Sequence, residues 1–204
     1  SHIRETPVEY SPYLCRLANC DVYLKLENIQ LTGSFKLRGA ANKILSLTKE
    51  EKEKGVITAS TGNHGLAFAW MAKRFDVKGT IFLPETSSPT KIEALRLYGA
   101  ELQYYGDDCV KAEIHARKIA EERGLTFVSA YNDLQIIGGQ GTIGIELARQ
   151  IPHIDCVLSP VGGGGLIAGI AGYLKTENSD IEIIGSQPEK SAVMYASIKA
   201  GRIL

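Results

Sequence analysis

No sign of charge dominates this chain: 23 lysine and arginine residues face 23 aspartate and glutamate residues, for a formal net charge of zero. A surface without a basic surplus has no general electrostatic hold on a phosphate backbone or an anionic lipid. Neither nucleic acid nor a membrane surface is therefore an expected partner. No apolar run approaches the length that spans a bilayer, and the first residues carry no signal-peptide pattern. Cysteine is scarce, and Cys15, Cys20, Cys109 and Cys156 form neither a CxxC pair nor a zinc spacing. Reduced thiols in a cytoplasmic setting are expected, with a Cys15–Cys20 bridge as the alternative. Of the four histidines, His2, His115 and His153 fall at surface or loop positions and suggest no role. There is no repeat of solenoid period and no low-complexity segment.

Apolar strand-like segments alternate with helix-like ones along most of the chain. Strands are expected at Val22–Leu26, Val56–Ala59, Gly79–Leu83, Glu101–Tyr105, Thr126–Val128, Cys156–Ser159 and Ile181–Ser186. Helices are expected at Phe35–Leu47, Leu66–Phe75, Pro89–Leu97, Asp107–Arg123, Gly141–Gln150, Leu166–Lys175 and Ala192–Ala200. This alternation implies an α/β fold with right-handed crossovers and open parallel sheets.

Three loops stand out. Thr32-Gly33-Ser34 is a turn that delivers Lys36 to the start of a helix. The positive end of the backbone dipole and burial beside Phe35 both disfavour the ammonium form, and a neutral amine is the form that attacks a carbonyl. Ser60-Thr61-Gly62-Asn63-His64-Gly65 and Gly162-Gly163-Gly164-Gly165 each follow a strand and open a helix. That is where open α/β sheets bind ligands, because the first helical N–H groups lack partners. Four consecutive glycines leave no side chain to obstruct an anion and tolerate the positive φ angles of an anion-binding nest.

A lysine able to form a Schiff base, a hydroxyl- and amide-bearing loop and a phosphate cradle together describe a site for pyridoxal phosphate. The chain resembles the fold-type II pyridoxal-phosphate enzymes, the tryptophan-synthase-β-like family. Ser34-Phe35-Lys36-Leu37-Arg38-Gly39, Ser60 to Gly65, Gly138-Gly139-Gln140-Gly141-Thr142 and Gly162 to Leu166 resemble its serine/threonine dehydratase and serine racemase branch. The resemblance implies two open parallel-sheet lobes with flanking helices. Residues 1–54 and 133–204 would form the large cofactor-binding lobe, and residues 55–132 a small mobile lobe that closes over substrate. It also implies that the family's large lobe extends beyond Leu204, where the partner of the pyridine nitrogen would lie, and that the full-length protein is a homodimer.

By resemblance, Lys36 holds the cofactor with Phe35 packed behind its ring, and Asn63 donates its amide to the phenolic oxygen. Gly162, Gly163, Gly164, Gly165 and Leu166 bind the phosphate. Ser60, Thr61, Gly62 and His64 hold the carboxylate of a small amino-acid substrate; for His64 a purely structural place at the helix start weighs equally. The implied reaction is dehydration and deamination of a β-hydroxy amino acid, such as serine or threonine, to a 2-oxo acid and ammonia.

Three departures from the family widen the substrate range. Thr61 stands where racemizing relatives carry a second-face serine base, which favours elimination with racemization as a side activity. Gln187 replaces a glutamate of metal-binding relatives, so no metal is expected. Thr58–Gly65 and Met194–Arg202 resemble dehydratase homologues associated with ectoine and hydroxyectoine breakdown, which makes a hydroxylated diamino acid or 3-hydroxyaspartate an alternative substrate. An amino-acid racemase and a non-catalytic pyridoxal-phosphate- or amino-acid-binding protein are the remaining alternatives.

Overall fold

The computed structural model describes residues 2–204. The chain opens with an antiparallel pair, β1 (Val8–Tyr10) and β2 (Tyr23–Lys25), joined through helix α1 (Pro12–Ala18). This pair departs from the all-parallel expectation, and local signals explain it. Ser11 caps α1 by accepting the Leu14 N–H, Pro12 occupies its first turn, and Asn19 ends it in the left-handed region at φ 54°. The connection is thus short enough to reverse the chain.

Helix α2 (Lys36–Ser46) follows a 3-10 turn at Glu27–Ile29, and α3 (Lys49–Lys54) follows α2 directly. A capping box builds α3: Thr48 accepts from the Glu51 N–H while Glu51 accepts from the Thr48 N–H. No helix was expected there, because an all-charged Lys-Glu segment has no apolar stripe to signal one. Next come β3 (Val56–Ala59), α4 (Asn63–Arg74), β4 (Gly79–Leu83), α5 (Pro89–Leu97), β5 (Glu101–Tyr104), α6 (Cys109–Arg123) and β6 (Thr126–Phe127). Strands β3 to β6 form one parallel sheet in the order β5-β4-β3-β6. Alternate residues face opposite layers. Val56, Ile81 and Leu83 bury against α2 and α4, whereas Ile57 and Phe82 bury against Ala116 and Ala120 of α6.

Helix α7 (Leu134–Gln150), β7 (Cys156–Pro160), α8 (Gly165–Glu177), β8 (Glu182–Ser186) and α9 (Val193–Ala200) complete the chain, with β7 and β8 parallel. Helix α7 begins seven residues before Gly141, its expected start, because Asp133 accepts the N–H groups of Gln135 and Ile136 as its cap. The Gly138–Thr142 motif therefore lies inside a helix, where glycine is intrinsically unfavourable. Packing accounts for it. A Cβ at Gly139 would lie 2.5 Å from Arg38 O and 2.6 Å from Gly39 Cα, and one at Gly169 of α8 would strike Ile137 O and lie 2.6 Å from Gly141 N. Helices α2 and α8 thus both dock backbone-to-backbone on α7. Their N-termini carry Lys36 and the glycine tetrad, so α7 sets where these two groups lie.

Candidate active site

In the sheet order β5-β4-β3-β6 the chain runs outward from β3 through β4 to β5, then returns to β6 on the other flank of β3. The crevice beyond the carboxyl ends of β3 and β6 is therefore the topological switch point, where open α/β sheets take their ligands. The segments leaving those two ends are Ser60–Gly62 and Val128–Asp133, and the second ties the candidate site together. A cavity of about 220 Å³ lies instead at the opposite end of the sheet, lined by Lys54, Lys78 and Arg123. There α3 and α6 present their C-terminal carbonyls, which Lys54 and Arg123 in their last turns complement.

Lys36 is the first residue of α2, and its Nζ donates to Ala130 O at 2.7 Å. The ammonium lies 5.2 Å from the centroid of the Phe35 ring. Burial holds its pKa below the ordinary lysine value. The preceding turn closes through Gly33, at φ +75°, whose N–H donates to Gln30 O at 2.7 Å. Two residues beyond Lys36, the buried Arg38 guanidinium fixes the helix by bonding Glu27 and Glu146.

The tetrad loop meets the same segment. Gly164 is at φ +85° and α8 has no side-chain cap, so no side chain satisfies its first N–H groups. A Cβ at Gly162 would meet nothing within 4 Å. At Gly163 it would strike the Tyr131 ring, and at Gly165 it would lie 2.8 Å from Tyr131 O. Residues 130 and 131 thus touch the lysine on one side and the glycine loop on the other. Phe35 and Leu166 pack against one apolar cluster, that of Ile143, Leu147, Ile170, Leu174 and Ile181.

The third loop is placed by its histidine. His64 is buried, with Nε2 3.2 Å from Val128 O and 3.1 Å from Thr58 Oγ1. A carbonyl only accepts, so Nε2 carries the hydrogen. Burial, then the nearby Lys36 charge, pushes the His64 pKa down to about 4. The imidazole therefore faces the interior, and the group of His64 left at the mouth of α4 is its backbone N–H. Ser60 Oγ accepts the Gly62 N–H at 3.2 Å. Thr61 and the exposed Asn63 make no side-chain hydrogen bond among the described residues, and Gly62 gives α4 no side-chain cap. Gln187 donates to Val161 O and accepts the Tyr195 N–H, linking the ends of β7 and β8 to α9.

These features fit pyridoxal phosphate: a desolvated amine, and an uncapped helix N-terminus behind a loop with no side chains, joined through one segment. Ala130 and Tyr131 were not singled out from the sequence. The only signal for them was their position after a strand end and before a helix cap.

The family described as pyridoxal-phosphate dependent enzymes matches the chain over residues 1–204, and the chain belongs to it. Among its relatives, it is 47% identical over 188 residues to a catabolic L-threonine dehydratase of Staphylococcus aureus, covering 92% of this chain and 54% of that protein. It superposes on the processed form of threonine deaminase isoform 2 from Solanum lycopersicum with a TM-score of 0.95 and 39% identity, covering 100% of this chain and 59% of the other. For maize serine racemase the TM-score is 0.94 and the identity 33%, covering 100% and 62%. The chain spans about half the length of the curated relatives it matches.

Proposed function

We propose that this protein is an ammonia-lyase that converts a β-hydroxy amino acid, serine or threonine, to a 2-oxo acid and ammonia. The observation that carries the reading is the half-buried Lys36 amine, held by Ala130 O on the segment that also packs against the glycine tetrad. The dehydratase and deaminase names among the relatives support it. Pyridoxal phosphate, when bound, supplies an aldehyde for an amino group and a conjugated ring that takes up the electron pair left on Cα as its proton departs. Lys36 would hold it, Phe35 would pack against it, Asn63 would donate to it, and the N–H groups of Gly162 to Leu166 would bind its phosphate.

The remaining work belongs to this chain's own groups. The Lys36 amine is the base for the Cα proton, and burial makes its neutral form more accessible than that of an exposed lysine. The Ser60 and Thr61 hydroxyls and the N–H groups from Gly62 to His64 bind the substrate carboxylate, which orients the Cα–H bond toward Lys36. Residues 55–132 act as a small lobe whose approach to the flanking segments excludes water. Thr61, whose hydroxyl makes no side-chain hydrogen bond among the described residues, favours elimination with racemization as a side activity. The intact protein is a homodimer, with the exposed Tyr10, Tyr13, Leu17 and Tyr23 as an apolar contact surface. Its unpaired thiols suit the reducing cytoplasm.

The test is to incubate the intact protein with pyridoxal phosphate, reduce with borohydride, digest, and locate the pyridoxyl group by mass spectrometry. An adduct on Lys36 that disappears in Lys36→Ala, with 2-oxo acid formed from serine or threonine, is the expected result. Adducts scattered over surface lysines would sink the reading.

A further inference from the structure

We propose that Tyr131 is a cofactor-positioning residue whose ring, seated on the glycine tetrad, walls the space between the phosphate cradle and Lys36. The inference rests on the pyridoxal-phosphate reading of the site and adds a residue that none of the four motifs contains.

Adjacent residues of one turn reach both ends of the site. Ala130 O accepts from Lys36 Nζ at 2.7 Å. The next residue lays the base of its ring on Gly163, so that any Cβ there would strike Cγ, Cδ1 and Cδ2. Its backbone lies against Gly165, the first residue of α8. A flat cofactor anchored by phosphate at the tetrad and by aldehyde at Lys36 must pass the residue that bridges those two points.

The turn itself is fixed. Ser129 Oγ accepts the N–H groups of Tyr131 and Asn132, at 3.4 and 3.0 Å. Asp133 then caps α7 and pairs with Lys43 of α2 at 2.7 Å. The ring is not part of the apolar core: Tyr131 is 37% exposed, and its hydroxyl has no partner among the described residues. A half-exposed aromatic on a rigid turn, facing a loop stripped of side chains, is placed to contact a second ring by stacking or by its edge. The Phe35 ring centroid lies 5.2 Å from the same amine, and Phe35 packs with Leu166 against the α7–α8 core.

The experiment is a spectral titration of the intact apo-protein with pyridoxal phosphate, for the wild type and for Tyr131→Phe, Tyr131→Leu and Tyr131→Ala. Melting temperatures of the apo forms are measured alongside. A ring acting as a wall gives a Phe variant with near-native affinity, while Leu and Ala weaken cofactor binding by about tenfold or more and shift its absorbance band. Apo melting temperatures stay close to wild type, since the ring covers no core residue. Leu and Ala variants that bind with native affinity and an unchanged spectrum would overturn the inference alone. So would weakened binding confined to variants whose apo form has also lost stability. A wild-type protein that forms no Lys36 adduct overturns the site assignment and this inference with it.

Discussion

Arg38 and Glu146 meet through two parallel hydrogen bonds, Nη1 to Oε1 at 2.6 Å and Nη2 to Oε2 at 2.8 Å, both buried. Glu27 receives the other edge of the same guanidinium, and Lys25 Nζ reaches Glu146 at 2.6 Å. Two cations and two carboxylates thus balance inside the protein, joining α2 and α7 to the N-terminal hairpin. Burial raises the Glu146 pKa, but hydrogen bonds from Arg38 and Lys25 outweigh it and leave the carboxyl below its usual range.

Removing one carboxylate strands positive charge in that interior. Glu146→Gln is expected to cost about 3 kcal/mol or more in chemical denaturation, the usual penalty for breaking a buried pair. Arg38→Lys is not a conservative rescue, because an ammonium cannot serve two carboxylates with the geometry of a planar fork. Both variants are expected to melt well below wild type.

The glycine contacts on α7 and α8 separate two kinds of helical glycine. Gly139→Ala places a methyl 2.5 Å from Arg38 O and is expected to destabilise the fold by about 3 kcal/mol or more. Gly172, exposed on α8 with nothing within 4 Å of a built Cβ, is the opposite case. Gly172→Ala should stabilise by about 0.5–1 kcal/mol through helix propensity alone. Equal effects from the two substitutions in urea titrations would remove the packing argument.

His64 makes stability depend on pH in a defined direction. Folded, its imidazole stays neutral down to about pH 4; unfolded, it takes up a proton near 6.5. Between those values the unfolded chain binds more protons, so the contribution is complete above about 6.5 and is lost as pH falls toward 4. The total is at most about 3 kcal/mol. The His64→Gln protein, less stable at pH 7, should show a shallower decline than wild type over that window.

Lys36 places an ammonium where burial disfavours it. Lys36→Met removes that charge and is expected to raise the stability of the apo-protein by about 1 kcal/mol while abolishing the pyridoxyl adduct, a common trade at functional positions. Calorimetry of the two apo-proteins decides it.

The glycine tetrad and the loop at residues 60–65 were legible in the sequence because each combines an unusual residue pattern with a strand–helix junction, and Lys36 because a glycine turn delivers it to a helix start. The parallel sheet was legible from apolar strands alternating with helices. What escaped was either local chemistry without an apolar stripe, as in α3, or apposition across distant segments. Nothing in Ser129-Ala130-Tyr131 advertises that one carbonyl meets an amine 94 positions earlier in the chain. The Gly138–Thr142 motif was visible, but its use was not: whether glycines make a loop or a helix crossing depends on the partner helices.

The bond from Lys36 to Ala130 ends on a main-chain oxygen. Every amino acid supplies that oxygen, so position 130 can drift among small residues without changing the partner it offers the amine, as long as the turn keeps its path. Searches for related sites by residue identity will pass over this position, whereas a search for a half-buried lysine facing a carbonyl beyond the end of a switch-point strand will find it.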